Sequence, residues 1–272
     1  EEMVFESRPG EVFLLGASSW RIEDITHDRV LVSPAPGEPG RMPFWRGDRP
    51  GRPYEFGLAI GKLARELAAS EPAAALARLR DVHQLDDRAA ANLLSYLEEQ
   101  REISELPTDR QIVVESFTDE VGDWRVVVLS PFGGRVHAPW SIVVGARLEQ
   151  ELGLEVDSMW TDDGMMFRLP DSNEPPDLTW FVPEPELAKQ VLRQALGTTA
   201  LFAAHFRENA ARALLLPRRR PGQRTPLWVQ RRRSSDLLKV ATEFGDFPMV
   251  LETYRECLQD VFDTEALGEL LS

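Results

Sequence analysis

The chain has 272 residues, 43% hydrophobic and 28% charged, with a formal net charge of −14. That is enough apolar material to bury a substantial core, in two compact units or one elaborate one, and it predicts a folded, soluble protein. A single cysteine, Cys257, excludes an internal disulfide framework and a thiolate zinc cluster, and four histidines far apart in sequence argue against a metal site.

No apolar stretch approaches the roughly 20 residues that span a bilayer. The opening EEMVFESRPGEV lacks the basic-then-apolar order of a signal peptide, so the cytoplasm is the expected compartment, with no membrane partner. Cys257 is expected to be a buried helix residue.

In chain order, Val12 to Leu15, Trp20 to Ile25 and Arg29 to Val32 read as short strands separated by turn formers, which predicts a small antiparallel sheet or barrel. Ser33 to Gly40, rich in proline and glycine, is expected to be a loop that runs on to Met42-Pro43-Phe44-Trp45-Arg46-Gly47-Asp48. Phe56, Ile60, Leu63 and Leu67 recur every three or four residues and predict a helix. A second helix follows around Leu76 to Val82, and a third from Asp86, an N-cap residue, to Arg101.

The period then returns to strands. Gln111 to Phe117 and Trp124 to Leu129 form one predicted hairpin; Glu155 to Trp160 and Met165 to Leu169 form another over Thr161-Asp162-Asp163-Gly164, with a helix from Ala138 to Leu152 between them. From Pro185 onward the pattern is helical. These elements divide the chain into residues 1–52, β-rich with a loop; 53–106, helical; 107–183, mixed; and 184–272, helical with a basic stripe. The fold class is α+β.

Catalytic motifs are absent. No glycine-rich loop precedes a Lys and a Ser or Thr, so the chain has no Walker motif for nucleotide phosphates, and no GxSxG elbow is present. Asp162-Asp163 has the form of a polar hairpin turn rather than a catalytic carboxylate pair. His27 and His137 are read as structural, hydrogen-bonded residues. No catalytic residue and no metal ligand is assigned.

The charge is unevenly distributed. Arg212, Arg218, Arg219, Arg220, Arg224, Arg231, Arg232 and Arg233 fall in one stretch that holds no Asp or Glu, with Trp228 among them. Guanidinium forks there suit phosphate oxygens and the indole suits base stacking, whereas a solvated loop paired with the acidic body is the other reading. Trp20 and Trp45 are open to two readings as well: wedges against unstacked bases, or core residues.

Several strings taken together resemble the Lhr (large helicase-related) helicases of superfamily two. They are Gly16-Ala17-Ser18-Ser19-Trp20-Arg21-Ile22-Glu23-Asp24-Ile25, Pro43-Phe44-Trp45-Arg46-Gly47-Asp48, Ser130 to Trp140 (SPFGGRVHAPW), Phe206 to Arg212 (FRENAAR) and Glu252 to Cys257 (ETYREC). The resemblance runs from about Gly10 to the C-terminus. It implies winged-helix-like units with a small β-barrel, and residues 107–183 are assigned to such a unit. It also implies the accessory domain that follows two RecA-like lobes and a winged helix, so ATP and Mg2+ would be bound by the full-length helicase and no cofactor by this chain.

Its expected partners are single-stranded DNA, DNA or RNA:DNA duplex, and those upstream domains; its expected work is 3′-to-5′ tracking and unwinding in DNA repair, without catalysis by this chain alone. Trp20 is expected to stack on a base of the tracking strand, with Trp45 second and Arg21 and Arg46 beside them, while Arg218, Arg219, Arg220, Arg224, Trp228, Arg231 and Arg232 complete the candidate DNA contacts. The alternative is an autonomous, glycosylase-like DNA-processing domain or a protein-interaction module.

Overall fold

In a computed structural model of the chain, residues 7–15, 18–26, 29–38, 51–120, 122–153, 156–170, 174–217 and 227–272 are described. They form two compact units, Glu1–Arg49 with Ala200–Thr253, and Pro50–Thr199 with Tyr254–Ser272.

The first unit contains β1 (Val12–Leu15), β2 (Ser18–Ile25) and β3 (Val30–Pro34), an antiparallel sheet of order β1-β2-β3. Among the described residues this is an open sheet and not a closed barrel. β3 runs through Ser33 and Pro34, which sequence assigns to the loop. Pro34 is tolerated because it is the last residue of a strand at the sheet's margin, where its missing N–H costs no ladder bond. In the same unit α6 (Ala200–Arg212) packs against α7 (Leu227–Thr242).

α6 ends in a Schellman turn. Leu214 N–H donates to Ala211 O and Leu215 N–H to Ala210 O, with Leu214 itself at φ +61°.

The second unit begins with α1 (Tyr54–Ala68), α2 (Pro72–Asp81) and α3 (Asp87–Ile103). Pro72 opens α2, where a missing N–H is harmless, and the Asp86 carboxylate caps α3 by accepting from Ala89 N–H at 2.7 Å. Leu67, Ala75, Leu79, Ala90, Leu97 and Leu106 form their common core.

The larger core lies between a sheet and one helix. β4 (Val113–Thr118), β5 (Trp124–Leu129), β6 (Asp157–Thr161) and β7 (Gly164–Leu169) make an antiparallel sheet of order β4-β5-β7-β6. α4 (Gly134–Leu152) sends Val136, Trp140, Val144 and Leu148, four residues apart and fully buried, onto Val126, Val128, Met165, Phe167 and Leu169. Each such side chain contributes roughly 1.5–3 kcal/mol by leaving water. The Trp140 indole N–H donates to Phe181 O at 2.8 Å, so the large ring is buried without an orphaned donor.

α4 starts four residues earlier than the sequence suggests, and it contains Pro139. The proline removes the N–H that would bond to Arg135 O; that carbonyl instead accepts from Asp263 N–H at 2.9 Å, just before α9 (Thr264–Leu270). α5 (Pro185–Leu196) packs against both α4 and α9, and α8 (Pro248–Arg255) runs into a π-helical turn, Glu256–Val261. Cys257 sits in that turn, completely buried, and burial pushes its thiol up to about 12. It has no nucleophilic character at neutral pH.

Candidate nucleic-acid interface

β2 places Trp20 and Arg21 on opposite sides of the first sheet, because successive strand residues alternate. Trp20 is half-buried and lies opposite Phe13 on β1 and Pro34 on β3, on the same side as the buried Ile22. Arg21 faces the other way. Its guanidinium is held by both carboxylate oxygens of Glu38 and donates to Gly10 O at 3.3 Å, while both members of the pair stay accessible. The sheet therefore keeps these two candidate contacts on separate surfaces.

Trp45, Arg46, Arg218, Arg219, Arg220 and Arg224 lie outside the described residues, as does the side chain of Trp228, whose backbone is in the first turn of α7. Arg231 and Arg232 are exposed on the second turn of α7, beside Arg233. Arg212 is exposed at the end of α6, where Asn209 Oδ1 accepts from its guanidinium at 2.5 Å.

Two strings singled out in the sequence meet inside this unit. Asn209, from the FRENAAR segment, donates through Nδ2 to the hydroxyl of Thr253, from the ETYREC segment, at 3.0 Å. Sequence reasoning passed over both residues. A small polar residue in a helical stretch carries little signal by itself; the usable hint was that each lies within a string that matched the family.

The SPFGGRVHAPW string builds a different centre, in the second unit. Asp162, in the β6–β7 turn, accepts at one carboxylate oxygen from Arg52 N–H at 2.9 Å and Gly134 N–H at 2.8 Å, so it closes the start of α4 from a distance. The Arg52 guanidinium in turn donates to Asp162 O and Pro131 O and pairs with Asp163 at 2.8 Å. Burial raises the Asp162 carboxyl, but the two backbone donors and Arg52 outweigh it and hold the group below its ordinary value.

The glycines are required by contact: a Cβ on Gly133, at φ +91°, would stand 2.2 Å from Arg52 O, and one on Gly134 would stand 2.7 Å from the Trp160 ring.

Completely buried His137 completes the arrangement, 2.7 Å from Thr161 O through Nδ1 and 2.8 Å from the Ser130 hydroxyl through Nε2. A carbonyl can only accept, so Nδ1 carries the proton and Nε2 receives the serine hydroxyl. Burial holds the imidazole below its ordinary pKa and therefore neutral. The pair resembles a nucleophile with its base, yet with both members sealed from solvent it fastens the loop to the hairpin. Among the described residues no group of His, Cys, Asp and Glu could hold a metal ion.

A family profile described as DEAD/H associated matches residues 106–272, and one for the winged helix domain of the large helicase-related protein matches residues 1–42. The chain belongs to the DEAD/H associated family, in its Lhr form. The winged-helix match takes in β1, β2 and β3, so part of the unit that the resemblance placed upstream is matched by the start of this chain.

Among relatives of this Lhr-type chain, the "Lhr helicase/ probable uracil glycosylase" of Mycolicibacterium smegmatis is 52% identical over the full chain, and the "Lhr helicase/uracil glycosylase" of Escherichia coli is 47% identical. The chain spans 18% of the length of each. The "ATP-dependent helicase Lhr-Core" of Methanothermobacter thermautotrophicus is 31% identical over 97% of the chain, which spans 31% of it. A solved structure, "Structure of Mycobacterium smegmatis helicase Lhr bound to ssDNA and AMP-PNP", superposes with a TM-score of 0.77 at 48% identity, over 87% of this chain and 30% of that one.

Proposed function

We propose that this region is the strand-contacting accessory part of an ATP-dependent helicase. RecA-like lobes elsewhere in the protein would bind ATP and Mg2+ and move 3′ to 5′ along single-stranded DNA. The region itself would hold the tracking strand, so that each stroke separates DNA or RNA:DNA duplex. The observation that carries this reading is the 48% identical structural match over 87% of the chain to an Lhr protein bound to single-stranded DNA.

Trp20 stacks on a base of the strand, with Trp45 as a second aromatic; Arg46, Arg218, Arg219, Arg220, Arg224, Arg231 and Arg232 neutralise phosphates, Trp228 offers a further stacking face, and Arg21 joins them once it leaves Glu38. Stacking and phosphate contacts both tolerate any sequence, as a motor that crosses every base requires. The work belongs in the cytoplasm, and no helix among the described residues is long and apolar enough to cross a membrane.

Replacing Arg218, Arg219 and Arg220 together by alanine tests the reading. Affinity for single-stranded oligonucleotides should fall alike for all sequences, and the salt dependence of binding should flatten, because each phosphate contact releases condensed counterions. An unchanged salt slope would contradict it.

The names of two relatives favour one other reading, a glycosylase-like DNA-processing domain. Release of free uracil from DNA by this region alone would establish it; binding without turnover supports the accessory role.

A further inference from the structure

We propose that the open edge of β6 is a docking site for an extended, basic segment of a separate protein, which adds to the second sheet as a further strand, a role distinct from the strand-contacting one.

β6 ends the sheet on one side, and among the described residues it pairs only with β7. Alternate residues of such a strand turn N–H and C=O away from their neighbour. Among the described residues, the group from outside the hairpin that bonds the β6 backbone is His137, and it takes only Thr161 O. Edges of this kind are commonly blunted by lysine, proline or a bulge. β6, Asp157-Ser158-Met159-Trp160-Thr161, has none of these, pairs with β7 in unbroken register, and is exposed at every residue.

The side chains select the occupant. Met159 and Trp160 project to opposite sides of the sheet and are 50% and 47% exposed, so an added strand would cover an apolar group on each side. The indole rests against Gly134, and an arginine or lysine of the partner can lie on its accessible part.

Charge adds the second half of the pattern. From Glu149 to Phe167 the sequence holds Glu149, Glu151, Glu155, Asp157, Asp162 and Asp163 and no Lys or Arg. Arg52, which reaches this stretch from elsewhere, is committed to Asp163, Asp162 O and Pro131 O, and Arg168 is committed to Asp123. Arg168 comes no nearer than 4.0 Å to the carboxylate of Asp157, whose side chain is 85% exposed. The excess negative charge attracts a basic polypeptide and repels phosphates, so the occupant is not the DNA strand.

Asp157, Ser158 and Thr161 around two apolar groups also make the mixed surface of a reversible interface, unlike the wholly apolar side that α4 covers. Strand addition draws affinity from main-chain bonds and specificity from alternate side chains. Paired antiparallel to β6, like every strand of this sheet, the segment sets a basic residue beside Trp160, a branched apolar one beside Met159 and a second basic residue beside Asp157.

The probe is a fluorescent cyclic hairpin peptide with one strand reading Thr-Arg-Val-Thr-Lys, titrated against the whole protein by anisotropy. A second peptide carries N-methyl groups on the amides of that outer edge, and a third has Glu in place of Arg and Lys. The first should bind and the other two should not. Trp160→Ala should weaken binding by about two- to fivefold, the worth of an exposed cation on an indole. Asp157→Lys should weaken it by about fivefold at low salt. Both variants should keep normal affinity for oligo-dT, and if Trp160→Ala does not fold, Asp157→Lys and the N-methylated peptide carry the test.

No binding of the first peptide at millimolar concentration, equal binding of either control peptide, or unchanged affinity in Asp157→Lys would overturn the proposal. Displacement of the peptide by oligo-dT would overturn it too, by making nucleic acid the occupant. None of these outcomes depends on the triple arginine variant, so the two readings fail separately.

Discussion

The imidazole of His137 accepts the Ser130 hydroxyl at 2.8 Å while its other nitrogen donates to Thr161 O at 2.7 Å, so one fully buried ring joins the end of β5 to the end of β6. The bond from Ser130 requires the neutral ring, because only then can Nε2 accept, and burial keeps it neutral by lowering its pKa from the ordinary 6.5.

The pH dependence follows in sign from that shift. In the unfolded chain His137 takes up a proton near pH 6.5 while the folded protein still excludes it, so stability contributed by the neutral ring is present above about 6.5 and is lost as pH falls toward the folded value. The slope in this window is at most about 1.4 kcal/mol per pH unit. Melting curves between pH 7.5 and 5 should show the decline, and His137→Gln, though less stable throughout, should show a flatter one. Equal slopes for the two proteins would mean that His137 is not the titrating group.

Asp162 is expected to matter for stability and not for chemistry. Asp162→Ala leaves the N–H groups of Arg52 and Gly134 without their acceptor, at about 1–3 kcal/mol for each buried donor. Asp162→Asn, whose amide oxygen still accepts, should recover most of the loss. Since the carboxyl lies below its ordinary value of 3.8, its contribution persists on acidification to about pH 4 and disappears only below that. Denaturant titrations of the three proteins at pH 7 check the order.

Glu38 competes with phosphate for Arg21. The pair is accessible, and exposed ion pairs are worth about 0.2–1 kcal/mol. Glu38→Gln should therefore raise single-strand affinity by up to about fivefold at low salt, and Arg21→Ala should abolish that gain. Unaltered affinity in Glu38→Gln would leave Arg21 as a structural tie between β2 and the turn after β3.

Local signals made much of the fold legible. The Asp86 cap, the apolar spacing of α1 and the turn residues of both hairpins are written within a few positions of the structure they produce. Long-range partners are not. Nothing near Pro139 indicates that Asp263 will take the carbonyl it orphans, so α4 could not be extended back to Gly134 from sequence. Asp162 was recognisable as a turn residue, but its partners Arg52 and Gly134 are 110 and 28 residues away.

The same limit applies to the candidate interface. Trp20 and the arginines could be named from residue type and family strings, while the link from Asn209 to Thr253 spans 44 residues and depends on how two helices meet.

The central claim is that Trp20 gives the motor its grip on the strand. Its most direct measurement is the rate of duplex unwinding relative to DNA-stimulated ATP hydrolysis for Trp20→Ala in the full-length protein, with melting temperature recorded on the same preparation. Stacking on an aromatic is worth roughly 1–3 kcal/mol per base, so unwinding should collapse while hydrolysis and melting temperature stay near their normal values, and Trp20→Phe should recover part of the unwinding. A packing role predicts instead that melting temperature and hydrolysis fall together, toward the roughly 3–5 kcal/mol cost of truncating a core tryptophan. Normal unwinding by Trp20→Ala would contradict the claim outright.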